Sequence, residues 1–199
     1  MKSLLLSLVW ILFGSSLVFG EILPAKEQRN KRPTCIAQFC FDQHAPRERF
    51  LTQIYGSGAL KNEGEESFHC YEALNQKLFL KFTIHNDTPP FIVSILASDK
   101  PVCAEAKRPI KPFGQLKTLE GLMVGDKYEK AIQLYGSPQY VRTGKELDEL
   151  IRNEFFASSQ EMGFDKAVAY GPNKTDELLV TWLFFRNDKI AAILMSISE

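Results

Sequence analysis

Twice along this chain of 199 residues the same punctuation recurs in the same order, and no other feature restricts the possible folds as much. An apolar segment at helical spacing closes on Ile54-Tyr55-Gly56, and another closes on Leu134-Tyr135-Gly136. Cys70-Tyr71 is answered by Ala169-Tyr170, and Ile84-His85-Asn86-Asp87 by Phe185-Arg186-Asn187-Asp188. Ile92-Val93-Ser94-Ile95 is answered by Ala191-Ala192-Ile193-Leu194. One match of this kind means little; four in one order point to a duplicated unit. Each half holds roughly 70 to 80 residues, a size at which a single core is marginal, so two halves joined through a shared core is the stable expectation.

The second unit is written most clearly. Asp126, with Glu129 three residues on, has the pattern of a capping box; Tyr128, Ala131, Ile132 and Tyr135 recur at helical spacing, and Gly136 with Pro138 ends the run. In the first half Pro46 opens a helix with Phe50, Leu51, Ile54 and Tyr55 on its apolar face, closed by Gly56-Ser57-Gly58. Strands are predicted at 68–71, 78–84 and 91–96; in the middle one Leu78, Leu80, Phe82 and Ile84 form a buried set, and Phe79, Lys81 and Thr83 point outward. The second half offers a short strand at 168–172 and a hairpin of 178–185 and 190–197 around a tight turn. Both hairpin strands are apolar at nearly every position, so the hairpin is expected to be central and covered on more than one side. A further helix over 144–158, carrying Leu147, Leu150, Ile151 and Phe155, has no counterpart in the first half. The predicted fold is α+β: two tandem helix-plus-antiparallel-meander units with helices on one face of the sheet.

Residues 1–20 have the form of a signal peptide: Lys2 at the start, an apolar run over 4–13, and Val18-Phe19-Gly20 before Glu21. Residues 21–34 are polar and read as a flexible arm, 35–103 as the first unit, 104–116 as a linker rich in Pro, Gly and Lys, and 117–199 as the second unit. In an exported chain Cys35, Cys40, Cys70 and Cys103 are disulfide candidates, with three pairings open. Their spacing lacks the close ligand pairs of a zinc site, and neither a metal nor a cofactor is expected. Lys and Arg balance Asp and Glu at 24 each, which gives no electrostatic reason to expect nucleic acid. The reading is a periplasmic or secreted protein with no integral membrane anchor after signal cleavage.

Gly121-x3-Gly125-Asp126, Tyr135-Gly136-x-Pro138, Tyr170 and the run from Leu178 to Ile190 resemble the helix and hairpin of the β-lactamase-inhibitor-protein-like fold. That fold is shared with the SmpA/OmlA family of small outer-membrane-assembly lipoproteins. The resemblance covers 117–197 well and 35–98 in degraded form. It implies bacterial export, helices on one face of an α+β sheet and protein binding, and it brings no catalytic residues. No lipid-anchoring cysteine stands at the mature start, the first being Cys35.

The histidines, His44, His69 and His85, are assigned structural places, and Gly56-Ser57-Gly58 lacks the spacing of a nucleophile elbow. The carboxylate clusters Glu63-Gly-Glu65-Glu66 and Glu146-Leu-Asp148-Glu149 read as solvated faces, so no catalytic residue is assigned. The aromatic residues carry the functional expectation. Tyr71, Phe79, Tyr170, Trp182 and Phe184 either fill the core and the junction between units or stand on an open sheet face as anchors for a partner. The expected function is a non-enzymatic, interaction or inhibitor-like module of the bacterial envelope that binds another envelope or secreted protein. The alternative is a binding module for a small or polymeric envelope ligand such as lipid or peptidoglycan.

Overall fold

The computed structural model describes residues 33–41, 46–155, 157–171 and 179–197, so the expected signal peptide and nearly all of the arm lie outside the described residues. Chain order is β1 (Cys35–Ile36), β2 (Phe39–Cys40), α1 (Glu48–Tyr55), β3 (Ala59–Glu63), β4 (Glu66–Ala73), β5 (Leu78–His85) and β6 (Phe91–Ser98). There follow α2 (Tyr128–Tyr135), β7 (Tyr140–Arg142), α3 (Gly144–Phe155), α4 (Ser159–Met162), β8 (Lys166–Tyr170), β9 (Leu179–Arg186) and β10 (Lys189–Ile197). Apart from the small β1–β2 hairpin, all strands join one antiparallel sheet in the order β3-β4-β5-β6-β10-β9-β8-β7. Two meanders therefore meet edge to edge at β6 and β10, with Leu96 opposite Leu194 in the middle of the seam.

The same set of contacts surrounds each meander. Ile92 N donates to Pro46 O at 2.7 Å before α1, and Ile190 N to Asp126 O at 2.8 Å before α2. Gly56 closes α1 at φ 77° by donating to Thr52 O, and Gly136 closes α2 at φ 79° by donating to Ile132 O. Tyr71 Oη donates to Gly56 O at 2.6 Å, and Tyr170 Oη to Gly136 O at 3.2 Å, so in each half a tyrosine from the strand satisfies a carbonyl at the helix end. Both inner hairpins carry a bulge at their turn end, between Thr83 and Ile84 and between Ile190 and Ala192. Ile92, opposite Ile84, is thus the counterpart of Ile190, opposite Phe185, one residue from the match to Ala191 expected from sequence. The connection from β5 to β6 spans 86–90 and that from β9 to β10 only 187–188, where Asn187 and Asp188 both take positive φ in a tight turn.

Strand alternation sorts side chains onto two faces, and helices cover both. On one face Leu80, Phe82, Ile84, Ile92, Ile95, Leu183, Phe185, Ile193 and Met195 pack against Leu51 and Tyr55 of α1 and Ala131 and Tyr135 of α2. On the other, Leu96, Ala167, Phe184, Ala192 and Leu194 pack against Leu147, Ile151 and Phe155 of α3 and Met162 of α4. The expectation that the helices share one face is thus corrected. The connection from β7 to β8 carries α3 and α4 back over the sheet, whereas β3 and β4 are joined by a two-residue turn at Gly64-Glu65. Central placement and double coverage of the β9–β10 hairpin agree with its unbroken apolar runs.

The first face is completed by segments without a strong sequence signal. The β1–β2 hairpin is closed by the Cys35–Cys40 disulfide and buries Ile36 and Phe39; Phe39 meets Phe82 at 5.0 Å and Phe50 at 5.9 Å between ring centroids. Thr181 Oγ1 donates to Pro33 O at 2.9 Å, which fixes where the chain enters this layer. The stretch 104–116, expected as a solvated linker, instead threads through the fold. Lys107 exchanges backbone hydrogen bonds with Cys70 and Glu72 beside β4, and Phe113 stacks on Tyr55 with centroids 4.0 Å apart. Asp126 does not cap α2 either: its Oδ2 accepts from Met123 N and Lys130 Nζ, holding the turn that precedes the helix.

Of the three cysteine pairings, the structure has Cys35–Cys40 and Cys70–Cys103, with sequence separations of 5 and 33. Loop-closure entropy makes the longer link worth about 4 kcal/mol and the shorter about 2. Urea unfolding of Cys70→Ala/Cys103→Ala should accordingly show the larger loss, and a greater loss in Cys35→Ala/Cys40→Ala would refute the ordering. Close approach of backbone sets a second contrast. A Cβ at Gly58 would lie 2.9 Å from Cys70 N and 3.0 Å from Cys70 O, whereas at exposed Gly114 it meets nothing within 4 Å. Gly58→Ala is expected to cost about 2 to 3 kcal/mol through forced backbone displacement, and Gly114→Ala no more than about 0.5 kcal/mol. Equal melting temperatures for the two variants would contradict this.

Candidate interaction surface

The five aromatic candidates separate into two groups. Tyr71, Tyr170 and Phe184 are 0%, 3% and 0% exposed, so they are core residues and are not surface anchors. Tyr71 and Tyr170 face the helix layer because each must reach a glycine carbonyl at the end of α1 or α2. Phe184 faces the other way and fits edge to face against Phe155 of α3 at 4.9 Å. Phe79 and Trp182 are half-buried at the border of the α3 cluster. No open aromatic sheet face brings the five together, because α3 and α4 occupy the surface that β9 and β10 would present.

Polar groups are built into the scaffold. His69 is buried on β4; its Nδ1 accepts from Gly58 N at 3.3 Å, which places the ring proton on Nε2, 2.8 Å from Glu48 Oε1. Both nitrogens thus tie the start of α1 to the strand. His85 lies 3.5 Å from Asp87 at the β5 turn and stacks on Phe91, and His44 lies outside the described residues. Thr118, Tyr135 and Glu120 form a chain: Leu122 N donates to Thr118 Oγ1, Thr118 stands 2.6 Å from Tyr135 Oη, and that phenol donates to Glu120 Oε2 at 2.8 Å. Lys81, expected to point outward, is 5% exposed, and its Nζ donates to Glu154 O at the end of α3 at 3.0 Å, where the helix dipole favours a cation. Burial raises the Glu154 carboxyl above its usual range, with Lys81 opposing the shift and Glu66 adding to it. Of the expected carboxylate clusters, Glu146 pairs with Arg142 and Glu149 with Lys145, as solvated faces do. Among the described residues no group of three or more His, Cys, Asp or Glu is placed to hold a metal ion.

Among the described residues, which also expose Phe50, Leu74, Ile110 and Leu119 and a second sheet edge at β3, two features gather several groups in one place. The first is the sheet edge at β7, where Tyr140 and Val141 are both 51% exposed and, among the described residues, no strand pairs on the outer side. The second is an open depression of about 450 Å³ at one end of the sheet, with Leu78, Val124 and Ile190 in its floor and Lys77, Arg186 and Lys189 around it. Sequence reading missed both. The only sign of β7 was the short run Tyr140-Val141-Arg142 after Pro138, and the cations of the depression come from turns distant in sequence.

Compared with family models, curated proteins and solved structures, the chain matches none. Among the described residues no helix is long and apolar enough to cross a membrane.

Burial dominates the chemistry of the tyrosines that join strands to helices. It pushes the Tyr71 phenol from 10.0 up to about 12, and holds the Tyr135 and Tyr170 phenols well above the ordinary range. A phenol whose folded pKa exceeds its unfolded pKa contributes stability that is fully present below about pH 10 and is lost as pH rises through the folded value. Unfolding free energy should therefore fall above about pH 10, with phenolate absorbance from these rings developing together with loss of structure. Tyr71→Phe should flatten that slope while costing about 1 kcal/mol at neutral pH from the lost hydrogen bond. An unchanged alkaline slope in this variant would show that Tyr71 plays no part.

Proposed function

We propose that the protein is an exported, non-enzymatic recognition module of the bacterial envelope, made of two tandem copies of a helix-plus-meander unit, and that it binds another envelope or secreted protein. Support for duplication comes from the repeated hydrogen bonds: Ile92 to Pro46 and Ile190 to Asp126, then Tyr71 to Gly56 and Tyr170 to Gly136. Two disulfides fit an oxidising compartment. Support for recognition comes chiefly from β7, a sheet edge on whose outer side no strand pairs among the described residues and which exposes Tyr140 and Val141. An extended segment of a partner can add a strand there, main-chain hydrogen bonds giving affinity and the two side chains giving selectivity. The edge replaces the sheet face as the seat of binding, since α3 and α4 cover that face. A binder of lipid or another small apolar ligand would call for a deep apolar pocket, and the depression at the sheet end is open and cationic at its rim.

The test is capture of partners from envelope extract by the mature protein and by Tyr140→Ala/Val141→Ser, with matched melting temperatures. Recovery of the specific partner should fall at least about tenfold in the variant. An unchanged partner set would remove the edge from the proposal.

A further inference from the structure

We infer that the depression at the end of the sheet is a docking point for an acidic, extended segment of a polypeptide partner, an inference that rests on the recognition reading above and adds the chemistry of what is recognised. Three cations, Lys77, Arg186 and Lys189, stand around it against one carboxylate, Asp99, which leaves two positive charges. Arg186 is engaged: it donates to Asp99 Oδ2 at 2.7 Å and to Met162 O at 2.6 Å, clamping β9, the end of β6 and the end of α4 together. Lys77 and Lys189 are exposed, and among the described residues neither has an ion pair. Of the neighbouring acids, Asp188 lies 3.7 Å from Lys166, Asp126 lies 2.7 Å from Lys130 and Asp165 accepts from Asn187 N, and among the described residues none of the three forms an ion pair with Lys77 or Lys189.

The backbone around the depression argues against a small oxyanion. Such sites converge several free amides or present an unencumbered guanidinium fork. Here Gly125 N donates to Ile190 O, Ile190 N to Asp126 O and Asn187 N to Asp165 Oδ2, so the nearby amides face inward. What remains is a pair of long, flexible ammonium groups beside partly exposed Val124, with Leu78 and Ile190 buried beneath at 8% and 1% exposure. Lysines of this kind attract carboxylates without a fixed geometry, and Val124 beside them accepts aliphatic stems. A chain bearing several glutamates or aspartates meets both conditions; a compact anion meets only the first.

A fluorescein-labelled hexaglutamate peptide serves as the probe, with binding followed by anisotropy at about 20 mM and about 150 mM salt. Binding to the wild-type chain is expected, about tenfold weaker in Lys77→Glu/Lys189→Glu, weaker at the higher salt, and unaffected in Lys145→Glu/Arg152→Glu, which makes the same charge change on α3. Shifts of the backbone amides of Lys77 and Lys189 on adding peptide to the wild-type chain give a readout that needs no variant. Equal weakening in both double variants, or no shift at these amides, overturns the inference. Displacement of the peptide by inorganic phosphate at equal ionic strength also overturns it, in favour of a small-anion site. These results are independent of the capture experiment at β7: loss of capture there with hexaglutamate binding absent leaves the edge reading intact, and the reverse pattern removes the edge reading alone.

Discussion

The pairing of β6 with β10 is the constraint on which the rest of the structure depends. Ile95, Leu96 and Ala97 on one strand and Ile193, Leu194 and Met195 on the other are all 0 or 1% exposed, so neither face of the seam tolerates water. A strand with one polar face can lie at a surface; these cannot. Each meander taken alone would expose its apolar inner strand as an unpaired edge, the arrangement most prone to association with other chains. Joining the two edges satisfies the backbone ladder of both and forces a covering layer onto each side.

That requirement explains why the two halves depart from one another where they do. On the helix face, α1 and α2 approach from the outer parts and the β1–β2 hairpin with Phe113 fills the space between, bringing Phe39, Tyr55, Tyr71 and Phe82 into one aromatic cluster. On the other face the helical cover comes from the second half, through the long β7–β8 connection, with Val102 and Cys103 added from the segment after β6. The starts of α1 and α2 are also anchored differently. Glu48 accepts from buried His69, whereas at the matching place Tyr128 lies against Phe185 at 5.3 Å with Lys166 3.7 Å above its ring. A hydrogen-bonded charge in one half and a cation over an aromatic ring in the other do the same mechanical task, so shared geometry does not need shared residues.

Much of the sheet was legible because its signals are local. The tyrosine-glycine helix ends, the Asn187-Asp188 turn and the apolar runs of β9 and β10 each reflect short-range sterics or two-sided burial, and each stands where the sequence places it. The failures share a cause as well. Lys81 and Thr83 alternate with apolar residues in the manner of a solvated face, yet both are buried: α3 brings its carbonyl end to Lys81 from 73 residues away, and Thr83 Oγ1 accepts from Ser94 Oγ on the neighbouring strand. Tyr71 and Phe184 stand among the candidate anchors in the sequence but in the core of the structure, since periodicity does not say whether a ring faces the core or solvent when both faces are covered. The stretch 104–116 is rich in Pro, Gly and Lys as linkers are, and its core role hangs on Phe113 and Leu116 alone. The helix over 144–158 without a counterpart already conflicted with helices on a single face, for Leu147, Ile151 and Phe155 had to be buried somewhere.

Filling both faces narrows what such a protein can offer to another molecule. A sheet with an open face recognises through rows of side chains fixed on adjacent strands; here those rows hold the protein itself together. Edges and ends remain, and they differ physically. An edge such as β7 offers directional backbone groups, so it favours segments already extended. A sheet end, made of turns that meet from different strands, gathers charged side chains of which only some are paired, here Arg186 with Asp99 and Asp188 with Lys166, while Lys77 and Lys189 stay exposed. Asn187 and Asp188 with positive φ are flanked there by Arg186 and Lys189. The cationic character of this end thus arises from the tight turn that sets the β9–β10 register, the same register that places Leu194 opposite Leu96 at the seam.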